Sequence, residues 1–130
     1  MIVYFASDLV WATRIKGVAD DLGIPARPVR NIEMLEARLA DSPVAGLIVD
    51  LDAPETALAL VQHLREWEAR KTAENQGTIR EPLRVVAFGP HVETQALAQA
   101  KLAGADAAMT RGAFHHQLAQ VLTAVAAGAK

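Results

Sequence analysis

Short apolar runs alternate with helical stripes along this chain, and the alternation predicts its elements. Ile2-Val3-Tyr4-Phe5-Ala6 is a continuous run of strand formers, followed by Ser7-Asp8 as turn and helix-capping residues. Trp11, Ile15, Val18 and Leu22 then recur at helical spacing, and Gly23 stands where a helix end wants left-handed geometry. Ala26-Arg27-Pro28-Val29 reads as a weak second strand, and its prolines predict a sheet edge. Asn31 caps a predicted helix carrying Ile32, Leu35 and Leu39, which ends before Asp41-Ser42-Pro43. The third strand is Gly46-Leu47-Ile48-Val49-Asp50. A helix follows from Pro54, with Leu58, Val61, Leu64 and the region of Trp67 facing inward. Residues 68–83 are polar and read as a helix end plus a surface loop.

Arg84-Val85-Val86-Ala87-Phe88 is the fourth predicted strand, stopped by Gly89-Pro90. An alanine-rich helix runs from Val92 to Ala103 and Gly104 closes it. Ala107-Ala108-Met109-Thr110 is a short fifth strand. Phe114, Leu118, Val121, Leu122 and Val125 form the clearest helical stripe in the chain. Strands that are apolar on both faces and alternate with helices imply a parallel sheet covered on both sides by right-handed crossovers. The expected fold is therefore α/β: a doubly wound, flavodoxin-like sheet of five strands in order 2-1-3-4-5, with helices on both faces.

Bulk properties narrow the function classes. A chain of 130 residues fits one domain, 1–130, and buries roughly two-thirds of its unfolded surface without staples. Cysteine is absent, which excludes disulfides, thiolate metal sites and thiol catalysis. The formal net charge of −2 offers no bulk attraction to nucleic acid or to an anionic membrane. No apolar run reaches the ~20 residues of a membrane span, and with a first strand expected from residue 2 no signal peptide is expected. The cytoplasm is the expected location.

In such a sheet, a carboxylate at the C-terminal end of a central strand lies in the crevice where ligands collect, and Asp50 holds that place. With Gly46 to Asp50, Gly104-Ala105-Asp106 before the fifth strand, and a short first strand leading straight into an amphipathic helix, the chain resembles the response regulator receiver (CheY-like) family. The resemblance covers almost the whole length and is carried mainly by pattern. It implies a phosphoryl-accepting aspartate at the end of the third strand, which is Asp50. It also implies an acidic pair for Mg²⁺ after the first strand, Thr or Ser after the fourth, and Lys followed by Pro after the fifth. This chain departs from the pattern at each of those three places. Ala6-Ser7 stands at the acidic pair, with Asp8 at its edge. Gly89 and Arg111-Gly112 stand at the other two, the switch positions.

Phosphoryl transfer is mostly positioning and charge neutralisation by metal and cation. Losing the first-strand acids weakens Mg²⁺ binding, since Mg²⁺ wants octahedral oxygens held by carboxylates. Gly89 has no hydroxyl to report a phosphoryl group. Arg111 keeps a cation, but its planar fork suits a free carboxylate, and it is expected to pair with Asp50. The reading is a pseudo-receiver, not an enzyme, acting through protein partners without a cofactor. The resemblance places its contact face, or a homodimer face, on the fourth helix, fifth strand and fifth helix. Two competitors stay open. One is a phosphoacceptor with an altered metal site at Asp8, Asp50 and Asp52, residues that otherwise serve as strand-end, cap and loop acids. The other is a small-molecule or nucleotide binder using loops 6–8, 50–54 and 89–91, for which a deep apolar pocket would speak.

The remaining polar residues carry less. Four histidines are spread over different elements: His115 and His116 are adjacent and share no helix face, while His63 and His91 lie elsewhere. His91 is a loop residue at a helix start that also has the chemistry of an acid–base group. Arg65, Arg70, Lys71, Arg80 and Arg84 interleave with Glu66, Glu68, Glu74 and Glu81 and read as a mixed, solvated surface. Trp11 is expected in the core. Trp67 is open between the core and an exposed contact.

Overall fold

A computed structural model describes residues 1–74, 82–90 and 94–127. Its elements follow the expected alternation: β1 (Ile2–Phe5), α1 (Leu9–Asp21), β2 (Ala26–Pro28), α2 (Ile32–Asp41), β3 (Gly46–Asp50), α3 (Pro54–Glu74), β4 (Arg84–Gly89), α4 (Thr94–Ala103), β5 (Ala107–Thr110), α5 (Arg111–His116) and α6 (Leu118–Ala127). The five strands form one parallel sheet in order β2-β1-β3-β4-β5, and the proline-containing β2 lies at its edge.

Strand residues alternate between two apolar layers, as the period of two requires. Val3, Phe5, Leu47, Val49, Val85 and Ala87 pack against Leu35 and Leu39 of α2, Leu60 and Leu64 of α3, and Ala96 and Ala100 of α4. Ile2, Tyr4, Ile48, Val86 and Phe88 pack against Ile15 and Ala19 of α1, Phe114 of α5, and Val121, Leu122 and Val125 of α6. Trp11 sits at the edge of the second layer, partly buried. Its ring centroid lies 5.0 Å from that of Phe88 and 5.4 Å from that of Phe114, and those two rings stack at 4.1 Å.

Helix ends are closed by the expected residues. The Asp8 side chain accepts from the Trp11 amide at 2.8 Å, and the Asn31 side chain accepts from the Met34 amide at 2.8 Å. Gly23, beyond the end of α1, has φ of 71°, a conformation open to glycine at little steric cost.

Three expectations change. The helix α3 runs on to Glu74, past the last residue of its apolar stripe, because i,i+3 pairs such as Lys71–Glu74 support a solvated helical turn. The rest of the segment expected as a loop lies in part outside the described residues, as does His91. The single final stripe is divided between α5 and α6 at Gln117, where the backbone leaves helical geometry.

Arg65 is the largest change. It is not a solvated surface cation. Its Nε and one terminal nitrogen donate to the Gly104 carbonyl at 2.9 and 2.8 Å. The other terminal nitrogen donates to the Leu83 carbonyl at 2.8 Å and to Glu68 at 2.7 Å. Asp106 accepts from the guanidinium at 3.1 Å and from the Val85 amide at 2.8 Å. The planar fork thereby joins α3 to the start of β4 and to the turn before β5. Gly104, with φ of 124°, leaves room for that approach: a Cβ there would lie 2.8 Å from Arg65 Cγ.

Candidate functional site: a buried aspartate at the strand ends

Parallel pairing brings the C-terminal ends of β1, β3, β4 and β5 to one edge, with Asp50 opposite Phe88 and Gly89 opposite Thr110. Asp50 is a fully buried charged residue among the core side chains, at 0% exposure. Burial of a carboxylate requires hydrogen bonds, and three are present. Ser7 supplies two of them to Oδ2, from its backbone amide at 3.1 Å and its hydroxyl at 2.9 Å. The Asp52 amide donates to Oδ1 at 2.9 Å. Desolvation nonetheless pushes the Asp50 carboxyl above the usual carboxylate range. The Ser7 hydrogen bonds and the charge of Arg111 oppose that rise, and Asp8 adds to it.

Arg111 begins α5 directly after β5, and Thr110 caps that helix by accepting from the Ala113 amide at 3.2 Å. This places the guanidinium over the strand ends. It binds Asp52, not Asp50, which corrects the expected pairing. The physical reason is local: Asp50 is fully buried and already accepts three hydrogen bonds from Ser7 and the Asp52 amide, whereas the Asp52 carboxylate is one-third exposed and reachable. Among the described residues, the Arg111 Nε is a buried nitrogen without a hydrogen-bond partner.

The second switch position, Gly89, is closed sterically. A Cβ at Gly89 would lie 2.9 Å from Leu51 Cβ, closer than side chains tolerate. The Leu51 amide in turn donates to the Phe88 carbonyl at 2.8 Å, which fixes this side of the crevice.

Asp8, Asp50 and Asp52 do converge, each offering one oxygen within 4.8 Å of the others. The donor type suits Mg²⁺, which takes six oxygens at ~2.0–2.1 Å. The same carboxylates already serve protein contacts. One Asp8 oxygen caps α1, both Asp50 oxygens accept protein hydrogen bonds, and Asp52 is neutralised by Arg111. A cation seated there would compete with Arg111 for Asp52 and with the Ser7 and Asp52 amide donors for Asp50. Of the histidines, His63 contacts Glu36 at 2.9 Å and His115 contacts Arg14.

Ser7 is the residue whose role the sequence concealed. It was visible as an occupant of the acidic-pair position, but nothing in the linear sequence showed it donating twice to a residue 43 positions away.

Comparison with solved structures agrees with this architecture. A chain from the co-crystal of the Saccharomyces cerevisiae histidine phosphotransfer signaling protein Ypd1 with the receiver domain of its downstream response regulator Ssk1 superimposes with a TM-score of 0.78. The identity is 13%, over 97% of this chain and 88% of that one. A response regulator receiver protein from Pseudoalteromonas atlantica gives 0.68 at 13% identity, covering 100% of both chains. A signal receiver domain from Bermanella marisrubri gives 0.65 at 19% identity, covering 95% of this chain and 97% of that one. No family model matches the chain, and no curated protein matches it in sequence. The chain thus has the CheY-like receiver fold. No helix among the described residues is long and apolar enough to cross a membrane.

Proposed function

We propose that residues 1–130 form one receiver-like signalling domain that works in the cytoplasm by binding protein partners and does not run Mg²⁺-dependent aspartyl phosphorylation. The observation that carries this reading is the satisfied Asp50: three hydrogen bonds from Ser7 and Asp52 occupy its oxygens, and the nearby cation is drawn aside to Asp52. A phosphoryl group attached there would disturb donors that Asp50 now holds, Ser7 on Oδ2 or the Asp52 amide on Oδ1. It would meet Gly89 where a hydroxyl would help, and would lie beside Asp8 and Asp52 with one guanidinium to offset them. The domain is a recognition module and not a catalyst. One of the solved neighbours is a receiver domain crystallised with a histidine phosphotransfer protein, and a protein partner is the corresponding expectation for this chain.

The competing reading is a phosphoacceptor whose metal is held by Asp8, Asp50 and Asp52, and the convergence of their oxygens within 4.8 Å favours it. Incubation with acetyl phosphate and Mg²⁺, followed by intact mass under acidic quench, separates the two. The proposal expects no phosphoryl adduct. An adduct lost in the Asp50→Asn variant establishes the phosphoacceptor instead.

A further inference from the structure

We propose that His115 and Arg14 form a proton-gated clasp between α5 and α1, closed while the imidazole is neutral and opened when it takes up a proton. The inference is independent of how Asp50 is used, and it adds a point of control to the domain.

A helix of six residues, Arg111 to His116, does not hold its shape alone. Three side chains tie α5 down. Arg111 at its start binds Asp52, and Phe114 is fully buried and stacked on Phe88. Near its end His115 reaches α1, where its Nδ1 meets the Arg14 guanidinium. Trp11 completes the joint. Arg14 Cζ lies 5.3 Å from the centroid of the Trp11 ring, and the His115 ring stands T-shaped to the same indole at 6.4 Å.

The chemistry of the pair fixes its protonation state. A guanidinium has donors only, so Nδ1 accepts, and an accepting Nδ1 belongs to a neutral ring with its proton on Nε2. A proton added to Nδ1 sets donor against donor and puts a second positive charge beside the first. Imidazoles are the side chains that change charge in mild acid.

The elements around α5 bring no acid to offset that charge. β5 and α6 hold no charged side chain, and β4 holds only Arg84, at the opposite end of the strand. On α1, Asp8 caps the start, while Asp20 and Asp21 lie at the far end, where Asp20 pairs with Lys16. The neighbouring imidazole, His116, has its ring centroid 5.6 Å from that of His115, and a charge there opposes one on His115 as well. Acid therefore frees the end of α5 from α1 while Arg14 stays on the indole and Phe114 stays in the core. The last turn loosens beside the strand ends that Arg111 covers.

The first test needs no variant. In the ¹⁵N-labelled full chain at about pH 8, long-range proton–nitrogen correlations of the His115 ring should show the Nε2–H tautomer. As the pH is lowered to about 5, the Trp11 indole and the Arg14 guanidinium should shift together with that ring. The Gln117 amide closes α5 by donating to the Ala113 carbonyl at 3.0 Å. Its hydrogen exchange, divided by the intrinsic rate at each pH, should speed up about two- to fivefold in acid, the loss of one exposed hydrogen bond. His115→Asn keeps an accepting oxygen near the Nδ1 position and does not titrate, so the acceleration should vanish. Arg14→Met should show the faster exchange at both pH values, and His116→Asn should behave as the native chain. None of the three positions is buried, so circular dichroism should show the variants folded. An Nδ1–H tautomer in the native chain overturns the proposal, as does a His115 ring that titrates without moving Arg14 and Trp11. An undiminished acid response in His115→Asn, or one that disappears in His116→Asn, overturns it too.

Discussion

Replacing Arg65 with methionine should cost more stability than any other change to a charged residue on α3. The substitution keeps most of the aliphatic stem and removes the fork. Five donor–acceptor contacts disappear, at 2.7 to 3.1 Å, and with them the donors to two backbone carbonyls, Gly104 and Leu83. A hydrogen bond involving a charged group contributes roughly 1.5–3 kcal/mol, and breaking a buried pair costs about 3–5 kcal/mol. The Arg65 side chain is 22% exposed and Glu68 keeps the Leu83 amide at 2.6 Å, so solvent and a remaining partner reduce the loss. The net expectation is ~2–4 kcal/mol, a large share of the roughly 5–15 kcal/mol that a domain holds. In urea the midpoint should fall by on the order of 1–2 M at an unchanged slope, followed by tryptophan fluorescence and circular dichroism together. Arg65→Lys should recover less than half of the loss, because an ammonium cannot reach four acceptors in one plane. The control Lys101→Met removes one exposed contact to the Asp106 carbonyl and should change stability by about 0.5 kcal/mol or less. A loss below about 1 kcal/mol for Arg65→Met, or full stability in Arg65→Lys, would refute the clasp.

Three further outcomes follow from the strand-end site and the helix caps. Burial raises the Asp50 pKa, so the folded state binds that proton more readily than the unfolded chain; its contribution to stability is present below the unfolded carboxylate range and is lost as pH rises through the folded value. Urea midpoints measured across acidic to neutral pH should therefore show a downward component in the native sequence that is missing in Asp50→Asn. Gly89→Ser should not restore a switch but destabilise by about 1–3 kcal/mol, through contact with Leu51, while Gly46→Ala should cost more, since its Cβ would meet the Arg84 carbonyl oxygen at 2.5 Å; thermal melts rank the two. Asn31→Ala should lower stability by about 0.5–2 kcal/mol by removing the bond to the Met34 amide, read as a shifted melting temperature.

The elements most legible in the sequence were those set by local pattern. Gly46 to Asp50 is apolar on both faces because both faces are covered, so its run marked a central parallel strand without ambiguity. The end of α3 was not legible because its last turns are polar and helical for electrostatic reasons that hydrophobic periodicity cannot register. Arg65 looked like one charge among many. Its acceptors at Gly104 and Leu83 are main-chain atoms brought close by the fold, and no side-chain pattern announces them. At the candidate site the structure brings the expected residues together and changes one pairing. Asp50, Asp52 and Arg111 do share the strand ends, but competition for the Asp50 oxygens depends on which backbone amides point inward.

The central claim, that Asp50 is held in a satisfied, unswitchable state, is tested most directly by titrating Mg²⁺ with beryllofluoride into the labelled domain and following amide resonances. The account predicts no saturable shifts at Asp50, Gly89 or Arg111 at millimolar Mg²⁺, with Ser7 still bonded to the carboxylate. Saturable shifts that begin at Asp50 and spread to Gly89 and Arg111 would show a working phosphoryl switch and contradict it.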